Sequence, residues 1–570
     1  MNKVPSPWKR LFSISFQWSA ALFMVGCAGQ VQPSGGPPDA VPPTIIRTVP
    51  DTNALHVSTQ FVELEFSEYV DRRSVEEAIF ISPHVGTLEF DWGGRDVQIN
   101  FSDTLRRNTT YVVTVGTDVV DLRAQNRMAQ GFTLAFSTGD SLDPGEIQGK
   151  VVDDEPGGVL IFAYNLRGID ADTLNPTHLR PDYIMQTGAD GQFRLRNIVL
   201  SKYRVIAVRD EYRDFVYDRE IDAYGVTQQD VTITPDKPRE AGLWFRLAKE
   251  DTTKPFLSSV TAPDQYHLLL RFSEPLDTLT VGKAAVVVAD TLSTHSARMG
   301  ALYPDMSNTA LLGAELLDPL DSATTYRLRI LGVRDRAGNL VDSAQGVADF
   351  PGTGIPDTTR PQLRVRGVAD SSQGVPLTAP FQIDFGKPVS LGLAANAIRM
   401  LDSTGSVVAA DAVVRTPAEL LFVPRGPLQP YAWYTLRVAL DSVVDSRGRG
   451  YRDSTARVSF RTLDLRSTGT IEGEVLDPAG KGPVVITAKS VDLIPPKSGS
   501  VVLKEGRSFL VRDLFEGKYT IQAYRDEDGN GEYSPGLPHP FRPSERFVVY
   551  PDTVKVRARW SMEGVILKFP

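Results

Sequence analysis

One cysteine, Cys27, in 570 residues leaves no partner for an intramolecular disulfide, so the folded parts must stand on hydrophobic cores. Basic tracts are also missing. The net charge is −9, which argues against nucleic acid and against a polybasic membrane patch. Six histidines, His56, His84, His178, His267, His295 and His539, are scattered with no H-x-x-x-H spacing. Each reads as a lone surface side chain rather than a metal ligand. No G-x-S-x-G elbow, P-loop or Gly-rich dinucleotide fingerprint occurs, so no catalytic residue is assigned and the chain reads as a non-enzyme. The one long apolar stretch, Leu11 to Val25, is interrupted by polar residues. It falls short of the roughly 20 apolar residues of a membrane-spanning helix.

What is present begins with that stretch. Lys3, Lys9 and Arg10 precede it and Met24-Val25-Gly26-Cys27 ends it, the layout of a secretory signal. The cysteine after a small-residue cleavage site resembles a bacterial lipobox, with Met where Leu is usual. The resemblance implies a signal peptide at 1–26, removed before Cys27, and lipid attachment at Cys27, hence a membrane-anchored lipoprotein. Ala28 is not the aspartate associated with inner-membrane retention in enteric bacteria, so the outer membrane of the cell envelope is the expected location. Removing 1–26 takes away three positive charges and moves the net charge from −9 to −12. Residues 27–41 and the two prolines that follow are rich in Gly, Pro, Gln and Ser, a flexible tether.

Beyond the tether the pattern is β. Phe61 to Phe66 alternates, with Val62, Leu64 and Phe66 on one face and Glu63 and Glu65 on the other as solvated charges. Turn residues recur about every ten positions, amphipathic helical stretches are nearly absent, and Ser74 to Ile79 is the best short candidate for a helical turn. Many short strands with regular turns predict all-β sandwiches.

Three segments share one order of landmarks. Pro42-Pro43-Thr44, Phe66-Ser67-Glu68, Tyr111, Val120-Asp121 and Phe136 open the series. Asp251-Thr252-Thr253-Lys254-Pro255, Phe272-Ser273-Glu274-Pro275, Tyr326, Asp335-Arg336-Ala337-Gly338-Asn339 and Phe350 repeat it. Asp357-Thr358-Thr359-Arg360-Pro361, Phe385-Gly386-Lys387-Pro388, Tyr434, Asp445-Ser446-Arg447-Gly448 and Phe460 close it. The tyrosine-to-phenylalanine spacing stays near 25 residues throughout. The order resembles the bacterial Ig-like domain of the S-layer SbsA type. Lys387 stands where the other copies have Glu68 and Glu274, which reads as a strand-end surface position.

A second unit occurs twice, at a gapless offset of 316 residues from Phe193 and Phe509 through Trp244 and Trp560. Its openings, Ile147-Gln148-Gly149-Lys150-Val151 and Ile471-Glu472-Gly473-Glu474-Val475, resemble carboxypeptidase-regulatory or transthyretin-like sandwiches, grouped with carbohydrate-binding-like folds. The expected organisation is Ig-like 42–140, transthyretin-like 145–250, Ig-like 254–354, Ig-like 357–464 and transthyretin-like 469–570. Short joints predict a semi-rigid rod. The whole resembles tandem Ig-like lipoproteins of the Bacteroidetes type.

One constellation carries chemistry. Asp526-Glu527-Asp528-Gly529-Asn530-Gly531-Glu532 fits the start of a D-x-[DN]-x-[DN]-G calcium loop, with Asp526, Asp528, Asn530 and Glu532 as candidate ligands. Leu537 replaces the glutamate at position twelve, so Glu532, Glu545 or another acid must complete the shell. The alternative is a polar hairpin in which the glycines supply positive φ. The sister segment, Asp210 to Phe215, lacks the middle acid. Sugar binding needs exposed aromatic platforms. Of Trp92, Trp244, Trp433 and Trp560, only Trp92 reads as exposed. The expected function is a lipid-anchored structural or adhesive rod without catalysis. Its expected partners are the membrane, through the lipid on Cys27, and envelope proteins or polysaccharide. The alternatives are a carbohydrate-binding accessory lipoprotein and a subunit of a secretion or uptake complex.

Overall fold

A computed structural model describes residues 39–292, 295–477 and 480–570. Cys27, the signal at 1–26 and the tether up to residue 38 lie outside the described residues. The described chain is all-β, ten sheets arranged as five successive two-sheet units.

The first, third and fourth units share one topology. In the first, strands Ile45–Val49, Phe61–Phe66, Asp96–Phe101 and Leu88–Trp92 lie side by side in that order, facing a sheet of Ile79–Ser82, Thr110–Val115 and Phe132–Ser137. Val62, Leu64 and Phe66 are fully buried against Val97 and Ile99, as the alternation requires. Glu65 lies on the other face near Arg95, 3.4 Å away. The helical turn is Arg72–Ala78, capped by the Asp71 carboxylate, which accepts from the Ser74 N–H at 2.8 Å.

The repeated tyrosine and phenylalanine are cross-strand partners, which explains their constant spacing. Tyr111 pairs with Phe136, Tyr326 with Phe350 and Tyr434 with Phe460. The rings stack with centroids 5.6, 5.8 and 5.9 Å apart. Each tyrosine hydroxyl also accepts a backbone N–H from five residues earlier, Arg106, Asp321 or Gln429, at 2.8, 3.0 and 2.9 Å. One residue type thus fills the core and ties the entering loop to the strand.

The second and fifth units share a different topology. Strand Gly145–Val152 runs between antiparallel Gln192–Ile198 and parallel Arg239–Arg246. Thr468–Leu476 likewise runs between Ser508–Phe515 and parallel Ser561–Lys568. The glycine of the shared opening is sterically required. A Cβ on Gly149 would collide with the Leu243 carbonyl and Phe193 ring, and one on Gly473 with the Val565 carbonyl and Phe509 ring.

The units do not form the end-to-end rod that the short joints predict. The fifth returns to pack on the second, some 300 residues earlier. Tyr224 Oη donates to the Gly536 carbonyl at 2.9 Å, and Ser544 Oγ to the Val226 carbonyl at 2.8 Å. Arg246 donates to Gln522 Oε1 at 2.8 Å and lies over the Tyr533 and Phe547 rings. Leu537 and Phe541 join a core containing Leu174, Tyr217 and Tyr224 of the second unit. The physical reason is an aromatic face on each of these two units, and each covers the other.

Two buried titratable side chains lie near the joint between the third and fourth units. His267 was expected at the surface, yet it is 7 % exposed, with Nδ1 2.9 Å from the Asp264 carboxylate. Desolvation lowers its pKa, the facing carboxylates of Asp264 and Glu315 oppose that, and the Lys387 charge adds to it. Lys387, likewise expected at a surface, is buried between two aspartates. His267 lies 3.7 Å from Asp357 of the next unit, whereas Lys387 is enclosed by Asp357, Thr359 and Asp445 of its own unit.

Candidate metal-binding loop of the C-terminal unit

The loop follows strand Gly517–Arg525, whose regular pairing ends as the chain enters Asp526. Asp526 is buried and organises the turn. Its two oxygens accept the N–H groups of Gly529 at 2.8 Å and Gly531 at 3.1 Å. Gly529 and Gly531 take φ of 76° and 81°, the left-handed conformations that glycine adopts without a Cβ penalty. Glu527 points away, as alternation predicts, and pairs with Arg546 at 3.0 Å.

Glu545, nineteen residues after Asp526, closes the loop from the opposite side. It is 4 % exposed. Its oxygens accept from the N–H groups of Glu527 at 2.7 Å and Ser534 at 3.0 Å. Burial raises its pKa against the pull of these N–H donors. Asp528 lies at the mouth, its pKa lowered first by the Ser534 hydroxyl, which donates to it at 2.7 Å.

Carboxylate oxygens of Asp526, Asp528 and Glu545 all lie within 4.8 Å of one another. Three carboxylates at that spacing repel unless a cation joins them. Among the described residues no Lys or Arg lies in ion-pair contact with any of the three. The nearby Arg525 and Arg546 are taken by Asp477, at 2.8 and 2.7 Å. An all-oxygen set with high charge density suits a hard divalent cation such as calcium.

The other sequence candidates sit differently. Asn530 is exposed and turns its amide nitrogen to Asp528 at 3.0 Å, while its oxygen accepts from the Glu532 N–H. Glu532 is exposed and its carboxylate is not among the converging three. Glu545 supplies the third carboxylate. It was legible only as a stray acid downstream, since no motif spacing ties it to the loop.

The sister loop tests the comparison internally. Asp210 accepts from the Arg213 and Phe215 N–H groups at 2.6 and 2.9 Å, the same offsets as in Asp526. Asp222 gathers the Glu211 and Asp218 N–H groups at 3.0 and 2.8 Å, much as Glu545 does. Tyr212 occupies the place of Asp528 and is exposed. Arg213 reaches Glu77 and Asp118 of the first unit at 3.2 and 3.0 Å. The sister loop is a clamp between units, and the third carboxylate is what sets the C-terminal loop apart.

The tryptophans also separate. Trp92 donates to Glu76 at 3.0 Å and lies under Arg72, so it is not a free platform. Trp244 packs on Phe547 of the fifth unit. Trp560, expected to pack like its counterpart Trp244, is 66 % exposed because no second unit covers it, and Trp433 is 41 % exposed.

A family described as bacterial Ig-like domain matches residues 39–138 and 357–462. Residues 254–354, outside that match, have the same strand order. No curated protein matches the chain. Among solved structures, the N-terminal part of the bacterial S-layer protein SbsC is 12 % identical at a TM-score of 0.16, covering 36 % of this chain and 44 % of that one. Domains 1–6 of surface layer protein SbsC are 10 % identical at 0.15, covering 86 % and 66 %. An L,D-transpeptidase from Mycobacterium smegmatis is 14 % identical at 0.14, covering 36 % and 90 %. The chain therefore spans under half of the SbsC N-terminal part.

Proposed function

We propose that this chain is a lipid-anchored, non-catalytic structural or adhesive lipoprotein of the bacterial cell envelope, of the Bacteroidetes type, held to the outer membrane through Cys27. The observation carrying this reading is the series of Ig-like sandwiches, two of them matched by the bacterial Ig-like family, behind a lipobox-like signal. The return of the fifth unit onto the second makes the protein a closed bracket, a form suited to presenting a fixed surface at a set distance from a membrane. In the wild type the mature protein should partition into detergent with a diacylglyceryl group on Cys27, detected by mass spectrometry. Cys27→Ser should release it into the aqueous phase. A wild-type mature protein that is water-soluble and starts at another residue contradicts the anchor.

In this reading the C-terminal loop binds calcium through Asp526, Asp528 and Glu545. A shell this incomplete belongs at the weak end of extracellular modules, around 10⁻⁴–10⁻³ M. Calcium at ten times Kd should then stabilise the fifth unit by about 1.4 kcal/mol. The rise in its melting temperature should vanish in Asp528→Ala and persist in Glu527→Ala, whose side chain faces Arg546. No rise in the wild type up to ~10 mM calcium would reduce the loop to a hairpin.

A second reading, carbohydrate binding, has one observation in its favour. Trp560, Trp433 and Tyr431 are all exposed, with Arg461 lying over both the Tyr431 and Trp433 rings. Glycan-array binding lost in Trp433→Ala and Trp560→Ala would support it.

A further inference from the structure

The fourth unit carries a row of arginines that its fold leaves without acidic partners. Strands Ile398–Asp402, Trp433–Ala439 and Thr455–Thr462 are neighbours in one sheet. Arg399 pairs with Arg437 and Arg437 with Arg457, so three guanidinium groups rise side by side from one outer face. All three are exposed. Arg461 follows on the same face, opposite Trp433. Among the described residues no Asp or Glu lies in ion-pair contact with any of the four arginines. Acids flanking the strands are engaged elsewhere. Asp370 accepts from the Ser459 N–H at 2.8 Å, Asp402 from the Thr404 N–H at 2.9 Å, and Asp464 pairs with Arg466 at 3.0 Å.

The other Ig-like units use the same row differently. Counted from the Tyr-to-Phe pair, its equivalents in the first unit are Phe80, Thr114 and Thr133. There the second unit covers the row. Phe80 joins a core with Leu160 and Phe162, and the Thr133 hydroxyl meets Met185. In the third unit the equivalents are Val287, Arg329 and Val347, with a single arginine, and the adjoining row pairs Arg327 with Asp349 at 2.7 Å. The fourth unit keeps this docking face uncovered and fills it with like charges. Neighbouring strands lie roughly 4.8 Å apart, and like charges directly opposite destabilise a sheet. An anion laid along the row offsets that cost.

The surroundings of the row indicate what carries the anion. At one end a groove of 540 Å³ places Arg399 and Arg437 beside Asn396 and Ser442. In the middle the Thr435 and Ser459 hydroxyls lie 3.1 Å apart. At the other end the Arg461 guanidinium is 4.3 Å from the centre of the Tyr431 ring and 5.7 Å from that of Trp433. Hydroxyls, an amide and aromatic faces set between cations match the hydroxyls, ring faces and charges of acidic sugars. From Arg437 to Trp433 the strand runs about 13 Å, so the face accommodates a chain of sugars better than a single one. Both rings lie against Arg461, a placement for stacking rather than for insertion into lipid.

We infer that this face of the fourth unit binds an acidic polysaccharide, with carboxylates on Arg399, Arg437 and Arg457 and a sugar ring against Trp433 and Tyr431. The inference rests on the carbohydrate reading above and gives it a ligand class.

Binding of the full chain carrying Cys27→Ser to polygalacturonate, to uncharged dextran and to phosphatidylglycerol vesicles tests this, whatever the fate of Cys27. Polygalacturonate should bind, and less tightly as salt rises. Dextran and the vesicles should bind at least tenfold more weakly. Arg437→Ala with Arg457→Ala should weaken polygalacturonate binding about tenfold or more, the worth of a lost charged hydrogen bond. The same pair should not lower the melting temperature, because it relieves a repulsion. Equal binding of both polymers, lost in Trp433→Ala, would keep the carbohydrate reading and overturn the acidic ligand. Binding to neither polymer overturns both. Tighter binding to the vesicles, or polygalacturonate binding that survives the double substitution, overturns the acidic ligand at this face.

Discussion

Lys387→Ala is expected to destabilise the fourth unit by about 3–5 kcal/mol, the cost of removing one partner from a buried ion-pair network. The side chains of Lys387, Asp357 and Asp445 are 8 %, 2 % and 1 % exposed. Alanine leaves two buried carboxylates with Arg449 as the one Lys or Arg among the described residues still in ion-pair contact with them. Lys387→Met keeps the volume and loses the charge, so it should cost nearly as much. If methionine restores the melting temperature, packing rather than charge holds the joint. Thermal melts of the full chain followed by tryptophan fluorescence read this, because Trp433 lies in the fourth unit.

Arg204→Ala should cost a similar 3–5 kcal/mol and should also loosen the fifth unit. Arg204 is 2 % exposed. It grips Asp230 through two nitrogens, at 2.8 and 3.3 Å, and donates to the Ala171 carbonyl at 2.8 Å. Its guanidinium carbon also lies 3.7 Å from the centre of the Phe541 ring. A planar fork that pairs and stacks at once has no lysine equivalent. Arg204→Lys should therefore keep part of the stability of the second unit and still lose the contact with Phe541. Hydrogen exchange across 533–547 separates the two effects. Faster exchange there in both variants is expected, and unchanged exchange in Arg204→Lys would mean that the stacking contributes nothing to docking.

Local periodicity carried most of the fold. The Val62, Leu64 and Phe66 face, the Tyr-to-Phe spacing and the gapless 316-residue repeat each depend on neighbours within one sandwich, so the chain displays them directly. Trp560 and His267 were misread because their exposure depends on whether another unit lies against them, and Lys387 because two aspartates far apart in sequence converge on it within its own unit. No local pattern reports that. The same applies to the bracket, whose contacts join Tyr224 to Gly536 and Arg204 to Phe541 across more than 300 residues. At the C-terminal loop, Asp526 and Asp528 were legible from alternation. Glu545 was not, because the segment that returns it to the loop follows no motif spacing.

The closed arrangement is tested most directly by a photo-crosslinking benzoylphenylalanine placed at position 541 of the full chain at high dilution. The account predicts an intramolecular crosslink, with the adduct mapped by mass spectrometry to the second unit around Leu174, Arg204 and Tyr217. A crosslink confined to the fifth unit, or one found only between separate molecules, would contradict the bracket and restore the rod.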